Sequence, residues 1–218
     1  MLTIPEELLL LTIKDDDKEG GFIDVPREAL SAGFVGAALM ELALENRIDS
    51  DSDHIWIIDE TPTGEPCVDL IFEKIRAPEF KLETTHLIAQ LIDYADEIRD
   101  LALERLVERN ILAEVEGRIL WILKSRRYPV INGKEIREVK LRLLEVLLGD
   151  EMPEPRDVCL MSLSENCGII SQIVPDSELT RAREKLSQIA KMDIIGQNVA
   201  RYITIFREAV AYATYWQM

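Results

Sequence analysis

The chain is poor in the residues that most often carry chemistry. It has two histidines among 218 residues, and three cysteines with no CxxC spacing. Neither His54 nor His86 has a second ligand four residues away, which argues against a zinc site. An odd set of cysteines fits a reducing compartment, with Cys67, Cys159 and Cys167 packed as small apolar groups. No G-x-S-x-G elbow, Walker-type phosphate loop or dinucleotide G-x-G-x-x-G occurs. No catalytic residue, metal ligand or cofactor can be assigned, so the expected class is a non-enzyme. Ten glycines and nine prolines leave little room for long linkers. No apolar run approaches the ~18 residues of a membrane span. Residues 119–123, ILWIL, are too few, and 199–216 is broken by Arg201, Arg207 and Glu208. Residues 1–13 lack a basic leader and are interrupted by Glu6 and Glu7. They read as a helix with Thr3 near its cap and Pro5 in its first turn, not as a signal peptide.

What is abundant is acid. The formal net charge is −16 and the isoelectric point is near 4.6. Such a surface repels phosphates unless one local patch overcomes the total. The charge is uneven. Residues 1–60 hold fifteen Asp or Glu against four Lys or Arg, whereas 124–142 hold seven Lys or Arg against Glu135 and Glu138. Within that basic stretch, KSRRYPVINGK (124–134) has four cations and no acid. It is either a solvated basic turn or a contact surface for anions.

Apolar positions recur at helical spacing over 5–13, 27–46, 84–110, 135–148, 156–173, 176–191 and 196–215. Extended segments are expected at 54–59, at 111–123 around a turn at Glu116-Gly117, and at YPVINGK with a second turn at Asn132-Gly133. The acidic runs KDDDKE and IDSDSD read as loops. The fold class is mainly α: a single globular multi-helix domain over 1–218 with short β-hairpins, one of them protruding and basic. Gly33 and Gly36, with Ala32, Ala37 and Ala38, form a small-residue face suited to close helix–helix approach.

Two charges sit in apolar surroundings. Glu41 lies in AALMELAL and is either a hydrogen-bonded structural carboxylate or a general base. Arg99 shares a helical stripe with Ile92, Ala95, Ala102, Leu103 and Leu106. It either pairs with Asp96 one turn back or serves as an anion ligand, since a phosphate matches the guanidinium fork.

Four stretches resemble the Golgi phosphoprotein 3 family. They are LTIPEELLLLTIKD, SAGFVGAALMELALENRI, DETPTGEPCVD with the helix after it, and RDLALERLVERNILAEVEGRILWIL running through the basic turn to IREVKLRLLEVLLGD. The resemblance implies a mostly helical domain that binds phosphatidylinositol 4-phosphate beside a protruding β-hairpin. It implies a peripheral membrane adaptor for protein partners, cytoplasmic or on the cytosolic membrane face, prone to self-associate through the hairpin. Carried onto this chain, it makes Arg99 the headgroup ligand. Lys124, Arg126, Arg127, Tyr128, Val130 and Ile131 become the membrane contact, with arginines attracting anionic lipid and an apolar tip entering the interface.

The chain departs from the family pattern. The family's arginine between the paired glycines is Val35, its tryptophan falls near Pro26, and R-x-x-R reads Asp96-Glu97-Ile98-Arg99. Each lost charge-assisted bond is worth roughly 1.5–3 kcal/mol. A degraded headgroup pocket is expected, with anionic-lipid attraction through 124–142 retained. The altered pocket, and a match starting almost at the first residue, point to a prokaryotic relative. The alternative is a helix-plus-wing nucleic-acid binder or a purely protein-interaction module. Nucleic acid is disfavoured by the acidic N-terminal region.

Overall fold

The structure, a computed structural model, describes the chain except residues 15–20, 78–82, 120–122, 132, 150–151, 190, 192 and 216–218. For 116–119, 123–127 and 206–215 it describes the backbone alone. The run KDDDKE therefore falls almost wholly outside the described residues.

The first helix, α1 (Ile4–Leu11), is buried along its whole length. Thr3 and Glu6 form a reciprocal capping box at its start, with Pro5 in the first turn. Around it pack α2 (Arg27–Leu44), α5 (Ala95–Glu108), α6 (Lys134–Leu148) and α7 (Pro155–Asn166). Between α2 and α5 come the strand pair β1 (Ile48–Ser50) and β2 (Ile55–Ile57), then α3 (Pro66–Ile75) and α4 (Thr84–Leu91). The chain closes with α8 (Ile170–Ile173), α9 (Leu179–Ile189) and α10 (Ile194–Tyr215). One continuous apolar cluster spans these elements.

Three expectations are refined. The single helix over 84–110 is two, parted by a 3-10 turn at Ile92–Tyr94 that lets α4 pack on α10 while α5 packs on α1. The helix over 156–173 stops at Asn166, because Gly168 adopts φ +78° and α8 starts anew. The acidic run 48–53 is partly strand, since β1 begins it.

The hairpin is the main correction. β3 (Val115–Ile119) pairs antiparallel with β4 (Leu123–Arg127), so Gly117 lies in mid-strand opposite Ser125 and marks no turn. The strands are joined by residues 120–122, which lie outside the described residues. Residues 129–131 extend the ladder at its other end: Ala113 donates to the Pro129 carbonyl at 2.8 Å and Ile131 to that of Ile111 at 3.0 Å. Val130 and Ile131 are therefore at the base of the hairpin, not at an apolar tip. Val130 packs against the core and Ile131 is exposed. Gly133 caps α6 instead of turning a hairpin.

Small residues on α2 set the packing of α7 and α10. A Cβ on Gly33 would lie 2.6 Å from the Cys167 sulfur. One on Gly36 would lie 2.5 Å from Val199 Cγ2 and 3.1 Å from Leu163 Cδ2. Close approach, not phosphate binding, explains both glycines.

A buried charge network fixes α1 at its N-terminal end. Glu41 accepts from the Ile4 backbone N–H at 2.5 Å, and both its oxygens accept from Arg156, at 3.0 and 3.1 Å. Arg156 also donates to Glu7 at 3.2 Å and to the Leu2 carbonyl. Arg142 spans Glu7 at 2.9 Å and Asp157 at 2.7 Å. Glu41 is thus a structural carboxylate.

Two measurements test this account. Gly36→Ala should destabilise the protein by about 1–3 kcal/mol in urea unfolding, despite alanine's better helix propensity. Val199→Ala in the same chain should recover part of that loss. Arg156→Met should cost about 3–5 kcal/mol, because it strands Glu41 without a cation and leaves Glu7 to Arg142 alone.

Candidate functional site

A groove of about 590 Å³ opens where the C-terminal end of α1 meets α2, α5 and the hairpin base. Its walls are Leu9, Phe22, Ile23, Leu30 and Leu103, and its polar groups come from Thr12, Arg99, Asp100 and Tyr128. The volume is within the usual range for small ligands. Local chemistry builds each wall. Thr12 follows the last turn of α1 and folds its hydroxyl back onto the Leu9 carbonyl at 2.6 Å. Its own carbonyl accepts from the Ile23 N–H at 2.7 Å, and Ile13 bridges Phe22, so the 22–23 strand is clipped to α1. Tyr128 is the first residue after β4, so the pocket sits at the foot of the hairpin.

Arg99 and Tyr128 are thus brought to one pocket. Lys124, Arg126 and Arg127 lie on β4, with Cα partners Arg118, Glu116 and Val115, and their side chains are outside the described residues. Val130 and Ile131 do not line the groove.

The guanidinium of Arg99 is already held by acids. Nε and Nη2 donate to Asp100 Oδ1 at 3.1 and 2.9 Å, and Nη1 lies 3.0 Å from Asp96 Oδ1. Asp96 also accepts from Arg27 at 2.9 Å, next to the Pro26 that starts α2. Val35 is fully buried in the core and contributes nothing to the groove. Asp100, Thr12 and the apolar wall were missed by sequence reasoning. Asp100 adjoins Arg99 in the chain, which was the available signal.

Two other grooves are weaker candidates for chemistry. One, of about 400 Å³, is lined by Met40, Leu44, Asp49, Cys159, Asp193 and Ile194 among others. Burial pushes the Cys159 thiol up to about 12, which makes it a poor nucleophile. The second, of about 200 Å³, runs beside Ser162, Arg183 and Gly196. Among the described residues no group of three His, Cys, Asp or Glu could hold a metal. No helix of the described residues is long and apolar enough to cross a membrane.

Asp193, which lines the first of these grooves, is 7% exposed and starts α10 by accepting from the Gly196 N–H at 2.9 Å. Burial pushes its carboxyl from 3.8 up to about 6, against the pull of Gly196, Ser162 and Ile195. The protonated form is therefore favoured by folding. The benefit is full below the unfolded value near 4 and is lost as pH rises through about 6. Asp193→Asn keeps the acceptor and removes the charge. Its stability advantage over wild type should grow by about 1 kcal/mol between pH 5 and 7.5 in urea unfolding.

The geometry can now be set beside known proteins. No curated protein matches the chain. A family model described as Golgi phosphoprotein 3 matches residues 4–205, which takes in α1, the groove and the hairpin. The chain belongs to the Golgi phosphoprotein 3 family.

Proposed function

We propose that this protein is a non-enzymatic peripheral membrane adaptor that adheres to anionic phospholipid through its basic hairpin, with weak or no selectivity for phosphatidylinositol 4-phosphate. Family membership supports the adaptor role in general. One observation carries the altered lipid preference: Arg99, the only arginine kept from the family's R-x-x-R, is engaged by Asp96 and Asp100. A phosphate monoester with charge near −2 would be repelled by the two carboxylates already on that one guanidinium. The basic run 124–127 at the pocket's edge supports adhesion by charge, since each Lys or Arg near an anionic leaflet contributes roughly 1 kcal/mol. Tyr128 has an apolar body and a polar end, which suits a position between pocket and interface. The adaptor would hold protein partners at the membrane face and perform no reaction.

Vesicle flotation tests this reading. Vesicles would be phosphatidylcholine alone, phosphatidylglycerol-containing, or phosphatidylinositol 4-phosphate-containing at matched total charge. Wild type should float with both charged sets equally, release as salt rises, and be unaffected by Arg99→Ala. Arg126→Glu with Arg127→Glu should lower binding at least tenfold. Selective binding to the phosphoinositide that depends on Arg99 would overturn the proposal, as would unchanged binding by the double variant.

A further inference from the structure

The pocket charges do not fit an anion, but they are arranged for something else. Arg99 and Asp100 line the groove together, so its charged wall is a cation beside an anion with no net charge. The next shell repeats the pattern, with Asp96 between Arg99 and Arg27. Among the described residues, Asp96 and Asp100 take three of the five guanidinium N–H groups, leaving two on the Nη atoms. Two donors suffice for one phosphodiester with a single negative charge. Asp100 is 61% exposed at its side chain and keeps acceptor capacity.

From this geometry we infer that the groove selects a zwitterionic aminophospholipid headgroup: a phosphodiester at Arg99 and a primary ammonium at Asp100. The inference rests on the membrane-binding reading above and names the lipid that the same pocket takes. The apolar wall of Leu9, Ile23, Leu30 and Leu103 then faces the glycerol and the first methylenes of the acyl chains. Charge matching decides between candidates. A monoester of charge near −2 is repelled by both aspartates. A phosphodiester without an ammonium leaves Asp100 unmatched. A quaternary ammonium carries no N–H to donate to Asp100, so a primary ammonium is preferred over choline. The hairpin supplies adhesion and the groove supplies choice between neutral lipids, which charge-driven adhesion alone cannot make.

The test holds surface charge constant. Vesicles would contain a fixed fraction of phosphatidylglycerol, with either phosphatidylcholine or phosphatidylethanolamine as the remainder. Wild type, Asp100→Asn and Arg99→Ala would be compared by flotation. Wild type should prefer the ethanolamine vesicles about fivefold, a size set by the exposure of the pair. Both variants should bind the two vesicle types equally while keeping the charge-driven component. Soluble glycerophosphoethanolamine, titrated in parallel, should compete for the ethanolamine preference, and glycerophosphocholine should not. This arm separates headgroup recognition from the looser packing of ethanolamine bilayers. No binding to any vesicle would overturn the membrane reading and the inference with it. Binding that follows charge, with no ethanolamine preference, or a preference that both variants retain, would overturn the inference alone.

Discussion

The fold hangs on a carboxylate that the sequence places in an apolar helix. Glu41 accepts from the backbone of Ile4 and from two nitrogens of Arg156, and Arg156 reaches on to Glu7. These groups come from α1, α2 and α7, and Arg142 adds α6. Removing water from so many charges is costly, and the cluster is tolerable because nearly every oxygen has a donor. Its contribution is positional more than energetic. A helix as apolar as α1 could slide by a turn along the core with little change in hydrophobic burial. Glu41 and Arg156 recognise one end of it, by its free N–H and by the Leu2 carbonyl, and so select one register. Glu6 works at the same end. Burial raises its pKa against the pull of Thr3, Arg109 and Arg105, which ties α1 to α5.

Registering one end of α1 places the other. Leu9 and Thr12 lie one to two turns further along the chain, where they form the floor of the groove and clip the 22–23 strand. The same α5 that holds Arg105 and Arg109 against Glu6 carries Arg99 and Asp100 into the groove wall. The pocket is therefore an outcome of core electrostatics at a distance. Two positions that carry arginine in the family pattern are here Val35, buried in the core, and Asp96, which pairs with Arg99 and Arg27.

What could be read from the sequence follows the range of each interaction. The capping box of α1 and the small-residue face of α2 were legible, because both depend on residues three or four apart. Glu41 and Arg99 were legible as charges out of place, and Asp96 as a partner of Arg99, but not Arg156 or Asp100. Arg156 is 115 residues from Glu41, and nothing local selects it. Asp100 was overlooked for a different reason. Adjacent residues on a helix do not face each other, so only Asp96 was considered. A long guanidinium arm reaches sideways past that rule and binds both. The hairpin was misread because glycine-containing pairs usually mark turns. Here Gly117 lies mid-strand and Gly133 caps α6, and residues 120–122, which join β3 to β4, include no glycine.

The corrected register changes the meaning of the basic stretch. With the turn at Asn132-Gly133, the cations would have flanked Val130 and Ile131 as a separate contact loop. In the observed register Lys124, Arg126 and Arg127 lie along β4, whose last residue precedes Tyr128 of the groove. Along the chain these cations lead to the groove that holds the paired charges of Arg99 and Asp100. On the proposed membrane reading, an anionic bilayer meets the basic stretch through its phosphates. A net charge of −16 opposes approach to such a surface over the whole molecule, but a field is screened beyond about 8–10 Å in physiological salt. Within that range, on the proposed reading, the basic stretch acts on the membrane by itself. Local order, not total charge, then determines whether an acidic protein can dock.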